Sequence, residues 1–400
     1  MKQFIYNNSV IILFISFFCS LANAQSSKKD MAQMIDQQFK LAANQYKILE
    51  KNVPDSMMPK TVNKNTGKVE SSNTKWWCSG FFPGSLLYIY EHTNDQDVLN
   101  IAQKRLAIQE KEKHYTGNHD LGFMMYCSFG NAYRLFKKPG DKTTIDTAAA
   151  SLTTRYRPQI KSIQSWNKNQ NFNCPVIIDN MMNLELLLWV SQNGGDQRFR
   201  EVAINHANST LTNHYRPDHS AFHVLDYNLE TGKFIGKNHQ GYNDASAWSR
   251  GQAWGFYGFT MMYRFVKDEK YLQQARDIAQ FLLNHPNMPT DKIPYWDFNA
   301  PTIPNALRDA SAASIIASGL LELSGYTKGK ESSNYVDAAR QIIVKLASEE
   351  YLAKPGENGG FLLKHGVGFF NANSEVDQPL TYGDYYFLEA MHRYKEWILK

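Results

Sequence analysis

Twelve helical patterns follow one another along the chain, at residues 31–52, 81–93, 97–112, 121–136, 143–155, 180–193, 197–212, 249–266, 270–284, 309–324, 332–349 and 383–398. In each, apolar side chains return every three or four residues, the period that turns one face of a helix into a core. Met34, Ile35, Phe39, Leu41 and Tyr46 make that face in the first. The order of the helices narrows the fold further. Unusual residues stand just before or at the start of every second helix: Trp76-Trp77, His119-Asp120, Asp179, Trp248-Ser249-Arg250, Arg308-Asp309 and Tyr382-Gly383-Asp384. The helices between them carry ordinary Lys, Glu and Gln faces and begin after short polar turns. This alternation predicts an all-α ring of six helical hairpins whose inner helices aim their N-termini at one common face. Unpaired amides and positive dipole ends gathered there favour an anion.

One segment breaks the helical rule. Residues 221–227 and 228–234 read as two short strands around a turn containing Gly232, a small β-hairpin placed to act as a flap over the mouth. It leads into the polar loop from His239 to Asp244. A second loop, Lys354 to Pro379, is rich in Gly and Asn and stands just before the last helix, as another wall of a site.

Residues 1–24 read as an export leader: Lys2, an apolar stretch from Val10 to Phe18, then Ala22-Asn23-Ala24 as a small-x-small cleavage site. The apolar run is too short to span a bilayer, and Cys19 lacks the small residues that precede a lipidated cysteine, so release into the periplasm or the medium is expected, with no membrane partner. The formal charge of +5 falls to +4 when Lys2 leaves with the leader. No stretch is a basic run, which fits a small anionic ligand and not a nucleic acid. Cys78, Cys127 and Cys174 then remain, an odd number without metal-site spacing, so no disulfide framework is expected. Roughly 375 residues without a Pro/Gly/Ser-rich linker make one domain over 25–400, expected as a monomer or weak homodimer. Aromatic residues are 13% of the chain, enough to line a carbohydrate groove or simply to pack a core.

Asp179 follows the apolar run Val176-Ile177-Ile178, and Met182, Leu186, Trp189 and Val190 continue it at helical spacing. An aspartate at that point is either an N-cap or an acid whose pKa is tuned by apolar neighbours. Asp120, beside His119, poses the same choice one hairpin earlier. Two carboxylates entering one mouth are what glycosidic bond cleavage requires, one to move a proton and one to hold charge or water. Arg250, with Trp248 and Trp254 around it, either clamps a substrate carboxylate through two parallel bonds or lies on the surface over core tryptophans. His223 is a strand histidine or a donor to that carboxylate. His214, His219 and His223 lack zinc or calcium spacing, and no phosphate loop, serine elbow or dinucleotide fingerprint occurs, so no metal or cofactor is expected.

Read together, His119-Asp120-Leu121-Gly122-Phe123, Ile178-Asp179-Asn180-Met181-Met182-Asn183-Leu184, Asn205-His206-Ala207-Asn208, His239-Gln240-Gly241, the segment Ala247 to Trp254 and the segment Pro294 to Pro301 resemble the unsaturated glucuronyl hydrolases, glycoside hydrolase family 88. The resemblance spans nearly the whole mature chain in the family's order. It implies an (α/α)6 barrel, in agreement with the twelve helices, and a substrate whose non-reducing end is a 4,5-unsaturated uronic acid made by a polysaccharide lyase, of glycosaminoglycan or ulvan type. It implies hydration of the vinyl ether: Asp179 matches the acid that protonates C4 and then draws a proton from water, and Asp120 matches the second aspartate. His223, Gln240, Trp248, Arg250 and Trp254 match pocket residues, joined by His119 and by Trp77 or its neighbour Trp76. The stretch Lys364 to Phe369, where family members meet the next sugar or its sulfate, carries one lysine and little else that is diagnostic. The rivals are a hydrolase of unsaturated galacturonyl or rhamnogalacturonyl ends, an epimerase, which would want a histidine pair, and a carbohydrate-binding protein without activity.

Overall fold

The computed structural model describes the backbone of residues 4–400 and side chains from Lys28 onward, so the leader expected at 1–24 lies outside the fully described residues. Among the described residues twelve long helices occupy the places that the periodicity marks. They are α1 (Phe4–Lys51), α2 (Phe81–Thr93), α3 (Gln96–Gln109), α4 (a π-wound stretch Gly122–Gly130 running into Asn131–Phe136), α5 (Pro139–Thr153), α6 (Asn180–Gln192), α7 (Arg198–Asn213), α8 (Ser249–Val266), α9 (Glu269–Asn284), α10 (Ala310–Ser324), α11 (Gly329–Leu346) and α12 (Thr381–Arg393). The even-numbered helices close a ring in which each packs on the next and α12 returns to α2, and an odd-numbered helix backs each of them. This is an (α/α)6 barrel. Composition explains which helices go inside. Every residue of α10 is buried, because Ala, Ser and Gly leave room for helices on all sides, whereas α9 and α11 bury one face only.

At the far end of the barrel, charged residues on the inner helices form a ladder. Arg264 bonds Glu185 and Glu322, with Glu322 at 2.7 Å, and Arg393 reaches Glu322 and Glu389, both at 3.1 Å. These pairs surround a cavity of about 300 Å³ lined by Tyr126, Tyr257, Tyr385 and Tyr386.

All the strands lie in connections that run from an outer helix to the next inner one. These are β1 (Met58–Val62) with β2 (Val69–Ser72), β3 (Tyr156–Arg157) with β4 (Ser162–Ile163), the antiparallel sheet of β5 (Pro175–Ile177), β6 (Val224–Tyr227) and β7 (Phe234–Lys237), and β8 (Gly366–Phe369) with β9 (Ser374–Gln378). They therefore crowd the face at which the inner helices begin. The expected hairpin is present but shifted: Asn228 accepts the amides of Glu230 and Thr231, which takes 228–233 out of the strand, so Phe234 opens β7. It is also one strand deeper than the sequence implies, since β5 pairs with β6 and buries it. The loop read before α12 contains a hairpin of its own, and so does the segment that leads into α2.

One of the close contacts of the ring joins α4 to α6. A methyl group at Gly122 would lie 2.5 Å from Cα of Asn183, and Asn183 Oδ1 accepts the amide of Phe123 at 2.9 Å. Gly122→Ala is expected to push these helices apart and cost about 1–3 kcal/mol; a thermal melt that matches wild type would contradict this packing.

Candidate active site

The strand register decides where two of the named residues meet. Ile177 pairs with Val224, and one step on, Ile178 N donates to the carbonyl of His223 at 3.1 Å. The chain then turns into α6, and Asp179 takes helical φ/ψ. The N-cap reading of Asp179 fails: its carboxylate accepts no amide of α6, and its Oδ2 is buried without a hydrogen-bond partner. That oxygen lies 3.6 Å from Nε2 of His223. His223 Nδ1 accepts the backbone N–H groups of His239 and Gln240 at 3.2 and 3.1 Å, so the ring proton belongs on Nε2. Burial, with His239 and Arg250 nearby, keeps the imidazole neutral by pushing its pKa well down. His223 is thus a neutral N–H donor beside Asp179, and Trp248 covers its ring at 4.4 Å.

Asp120 reaches the same mouth from α4. The capping reading fails here too, because the first-turn amide of Phe123 is taken by Asn183 from the neighbouring helix. His119 Nε2 lies 3.3 Å from Asp120 Oδ1. Ser165 ties the segments together: its N donates to Pro175 O at 2.8 Å, its O accepts from His119 N at 3.0 Å, and its Oγ accepts from Ile177 N at 2.9 Å. Both aspartates thereby hang from one buried serine.

Burial pushes the Asp179 carboxyl up to about 7, against the pull of Arg250. Burial, then the charge of Asp179, push Asp120 up to about 8, with Arg155 and Asn183 opposing. His119 is driven down to about 3 by burial and by Arg155. Two carboxyls between neutral imidazoles hold a proton into the neutral range, as an acid of this kind must.

Arg250 lies at the first turn of α8 and is buried, not on the surface. It donates to Asp309 Oδ2 at 3.1 Å, to Val367 O, and to Gly368 O at 2.6 Å, and its guanidinium stacks on Trp248 and Tyr382 at 4.5 and 5.1 Å. It binds β8 into the wall. Gln240 Nε2 joins it on Gly368 O at 3.1 Å. Trp254 is fully buried between Phe123 and Tyr386, and Trp77 leans on Tyr382 at 4.8 Å, whereas Trp76 turns outward under Lys60. Gly80, Asp179, Trp248 and Leu380 begin inner helices without a side-chain cap, unlike Asp95 and Asp268 on the outside, so no side-chain charge offsets the positive dipole ends there. Among the described residues no three His, Cys, Asp or Glu side chains converge as metal ligands do.

Sequence reasoning missed Ser165, Arg155, the bond of Asp309 to Arg250 and the capping role of Asn183. Asn183 stood inside a quoted motif, but nothing local marks a cap that acts across helices. Asp297, in the segment Pro294 to Pro301, accepts from Tyr242 N and Ser246 Oγ and so shapes the loop into Trp248.

The model of glycosyl hydrolase family 88 matches residues 48–397. An unsaturated glucuronyl hydrolase of Formosa agariphila is 42% identical over 407 residues, 100% of both chains. An unsaturated chondroitin disaccharide hydrolase of Streptococcus pyogenes is 32% identical over 380 residues, 93% of each. A crystal structure of an unsaturated glucuronyl hydrolase specific for heparin superposes with a TM-score of 0.88 and 42% identity, covering 91% of this chain and 97% of that one.

The raised carboxyls carry a stability consequence. A group that holds its proton more tightly when folded favours the native state below its ordinary value of 3.8, and loses that contribution as pH rises through about 7 or 8. Asp179→Asn and Asp120→Asn are therefore expected to melt higher than wild type at pH 8, by an amount that shrinks toward pH 4. Equal pH profiles for wild type and variants would remove the pKa argument.

Proposed function

The chain belongs to glycosyl hydrolase family 88, and on that premise we propose how its residues share the work. It is a hydrolase that removes the non-reducing-terminal 4,5-unsaturated uronic acid from lyase-generated oligosaccharides. The observation that carries the assignment of roles is the unpartnered, buried Oδ2 of Asp179, on a carboxyl that stays protonated near neutral pH.

Asp179 protonates C4 of the vinyl ether. Positive charge then develops at C5 and on the ring oxygen, in the field of Asp120. Water adds at C5 while the Asp179 carboxylate takes one of its protons, and the hemiketal formed opens and releases the aglycone. Asp179 ends protonated, as it began, and the net change is addition of water. His223 offers its Nε2–H to the substrate or to the incoming water, and His119 orients Asp120. The uncapped helix N-termini and the Arg250 guanidinium favour the uronate, and Trp77, Trp248 and Trp254 with Gln240 bound the ring. A carbohydrate binder without activity has no use for two raised carboxyls in one mouth, and the relatives, all hydrolases of unsaturated uronides, do not favour the epimerase reading.

The leader read at residues 1–24 supports placing this activity in the periplasm or the medium. Mass spectrometry of the exported protein should find a mature chain that begins at Gln25; a retained Met1 would refute cleavage.

Loss of the ultraviolet absorbance of the C4=C5 bond on unsaturated disaccharides is expected with wild type. Asp179→Asn should bind the same sugars and turn them over roughly 10²–10⁴-fold more slowly. Arg250→Ala should chiefly raise KM, since it removes a cation and the tie that holds β8. Binding with no absorbance loss in wild type would leave the binding-protein reading standing instead.

A further inference from the structure

We propose that Arg155 is a positioning residue for this reaction: it clamps the two segments that hold His119 and Asp120, and its unpaired charge makes Asp120 the carboxylate and Asp179 the acid of the pair. The proposal rests on the hydrolase reading above and extends it to a residue behind the pocket.

Four arginine side chains are buried among the described residues: Arg105, Arg155, Arg250 and Arg393. Three of them touch a carboxylate. Arg105 meets Glu50 at 2.7 Å, Arg250 meets Asp309 at 3.1 Å and Arg393 meets Glu389 at 3.1 Å. Arg155 has neutral partners: its Nε donates to Gln164 O at 2.7 Å, and its Nη1 to Thr116 O at 2.6 Å and Asn167 Oδ1 at 3.2 Å. Its Nη2 is buried without a hydrogen-bond partner. A guanidinium taken out of water calls for an opposite charge within reach. Asp120 is the carboxylate whose charge acts on it through space.

The same bonds make Arg155 a clamp. Residues 116–120 and 163–167 lie side by side, with Asn118 opposite Trp166 in an antiparallel bridge and His119 N donating to Ser165 O at 3.0 Å. The guanidinium bonds the first segment at Thr116 and the second at Gln164 and Asn167, and the Arg155 carbonyl accepts from Gln164 N at 3.0 Å. One planar group thus holds both sides of the ladder that leads to Asp120, a geometry that an ammonium does not reproduce.

The groups facing the two carboxyls show what the charge does. Asp120 meets Asp179 and Asn183 from α6, His119 from its own segment, and Tyr115 and Cys78 from neighbouring loops. Burial keeps that imidazole, phenol and thiol neutral, so Arg155 is the cation acting on Asp120. Asp179 meets Arg250 and the neutral His223, but Arg250 is already shared with Asp309. Part of the rise at Asp120 is the charge of Asp179, and that part disappears once Asp179 holds the proton. Burial is then opposed by Arg155 and Asn183, and the single charge of the pair settles on Asp120. The chemistry needs this division, with the proton on the group that reaches C4 and the negative charge beside the developing cation. A molecule with its proton on Asp120 has no acid to offer.

The test is the pH profile of kcat/KM for an unsaturated disaccharide, followed by loss of C4=C5 absorbance. The active form has one proton on the pair, so activity rises as pH climbs through the first ionisation and falls through the second. Removing a cation makes the first proton harder to lose. In Arg155→Gln the acid limb should therefore move up by about one pH unit, and the plateau should fall about tenfold or more. Arg155→Lys keeps the charge without the fork, so kcat should fall while the limb stays within about 0.3 unit of wild type. Asn167→Asp sets a carboxylate against Nη1 with the clamp intact, and should move the limb up by about half a unit; it carries the test if Arg155→Gln does not fold. A purely structural role would lower kcat and leave the limb in place. An acid limb unmoved in either Arg155→Gln or Asn167→Asp, or moved as far by Arg155→Lys as by Arg155→Gln, overturns the proposal. If wild type removes no absorbance, it is the hydrolase reading that has failed.

Discussion

The hydrogen bond from Ile178 N to the carbonyl of His223 joins residues 45 positions apart in the chain, and the chemistry of the site hangs on it. It extends the β5–β6 ladder by one step past the last strand pair, which brings the free oxygen of Asp179 to the N–H edge of His223. A slip of one residue would send every side chain of that strand to its other face. Ser165 guards against this from below. By bonding Pro175, Ile177 and His119 at once, it ties the register of β5 to the loop that carries Asp120.

A second condition is that the aspartates be left alone. Helix starts normally consume such side chains as caps, as Asp95, Asp268 and Asp309 illustrate elsewhere in the molecule. Here Asn183 takes the amide that Asp120 would have taken, and Asp179 lies inside the helical φ/ψ region, where its own carboxylate cannot reach back. Burial then raises both carboxyls, with Asp179 Oδ2 left unpartnered and the Asp179 charge adding to the rise at Asp120. That state is costly, and it persists because the barrel around it is closed: inner helices packed on all sides, and the Glu185–Arg264–Glu322–Arg393–Glu389 ladder binding them at the far end.

Much of the fold was legible because the helices are periodic and their order is regular. The strands were less so. The segment 221–234 alternated clearly enough to be read as a hairpin, but the Asx turn at Asn228 moved its second strand. The hairpins β1–β2 and β8–β9 are short and polar, and their pairing depends on contact with the rest of the mouth. At the site, the residue types and their positions at inner helix starts were visible; their present roles were not. Asp179 and Asp120 each carried a capping reading that local sequence favours, and only the neighbouring helix removes it. The surface reading of Arg250 failed for a similar reason, since its partners Asp309, Val367 and Gly368 come from two later segments.

What the sequence determined by itself is therefore what local physics dictates: which segments are helices, which of them are apolar or small enough to be inside, and which polar residues stand where the inside helices begin. Hydrophobic periodicity and helix-end chemistry are properties of a few consecutive residues. What only the tertiary structure decided is which carboxyls are free, which imidazole nitrogen carries the proton, and whether the guanidinium is a surface charge or a buried tie. Each of these depends on who occupies the other side of a hydrogen bond, and in this chain that partner lies tens to hundreds of residues away.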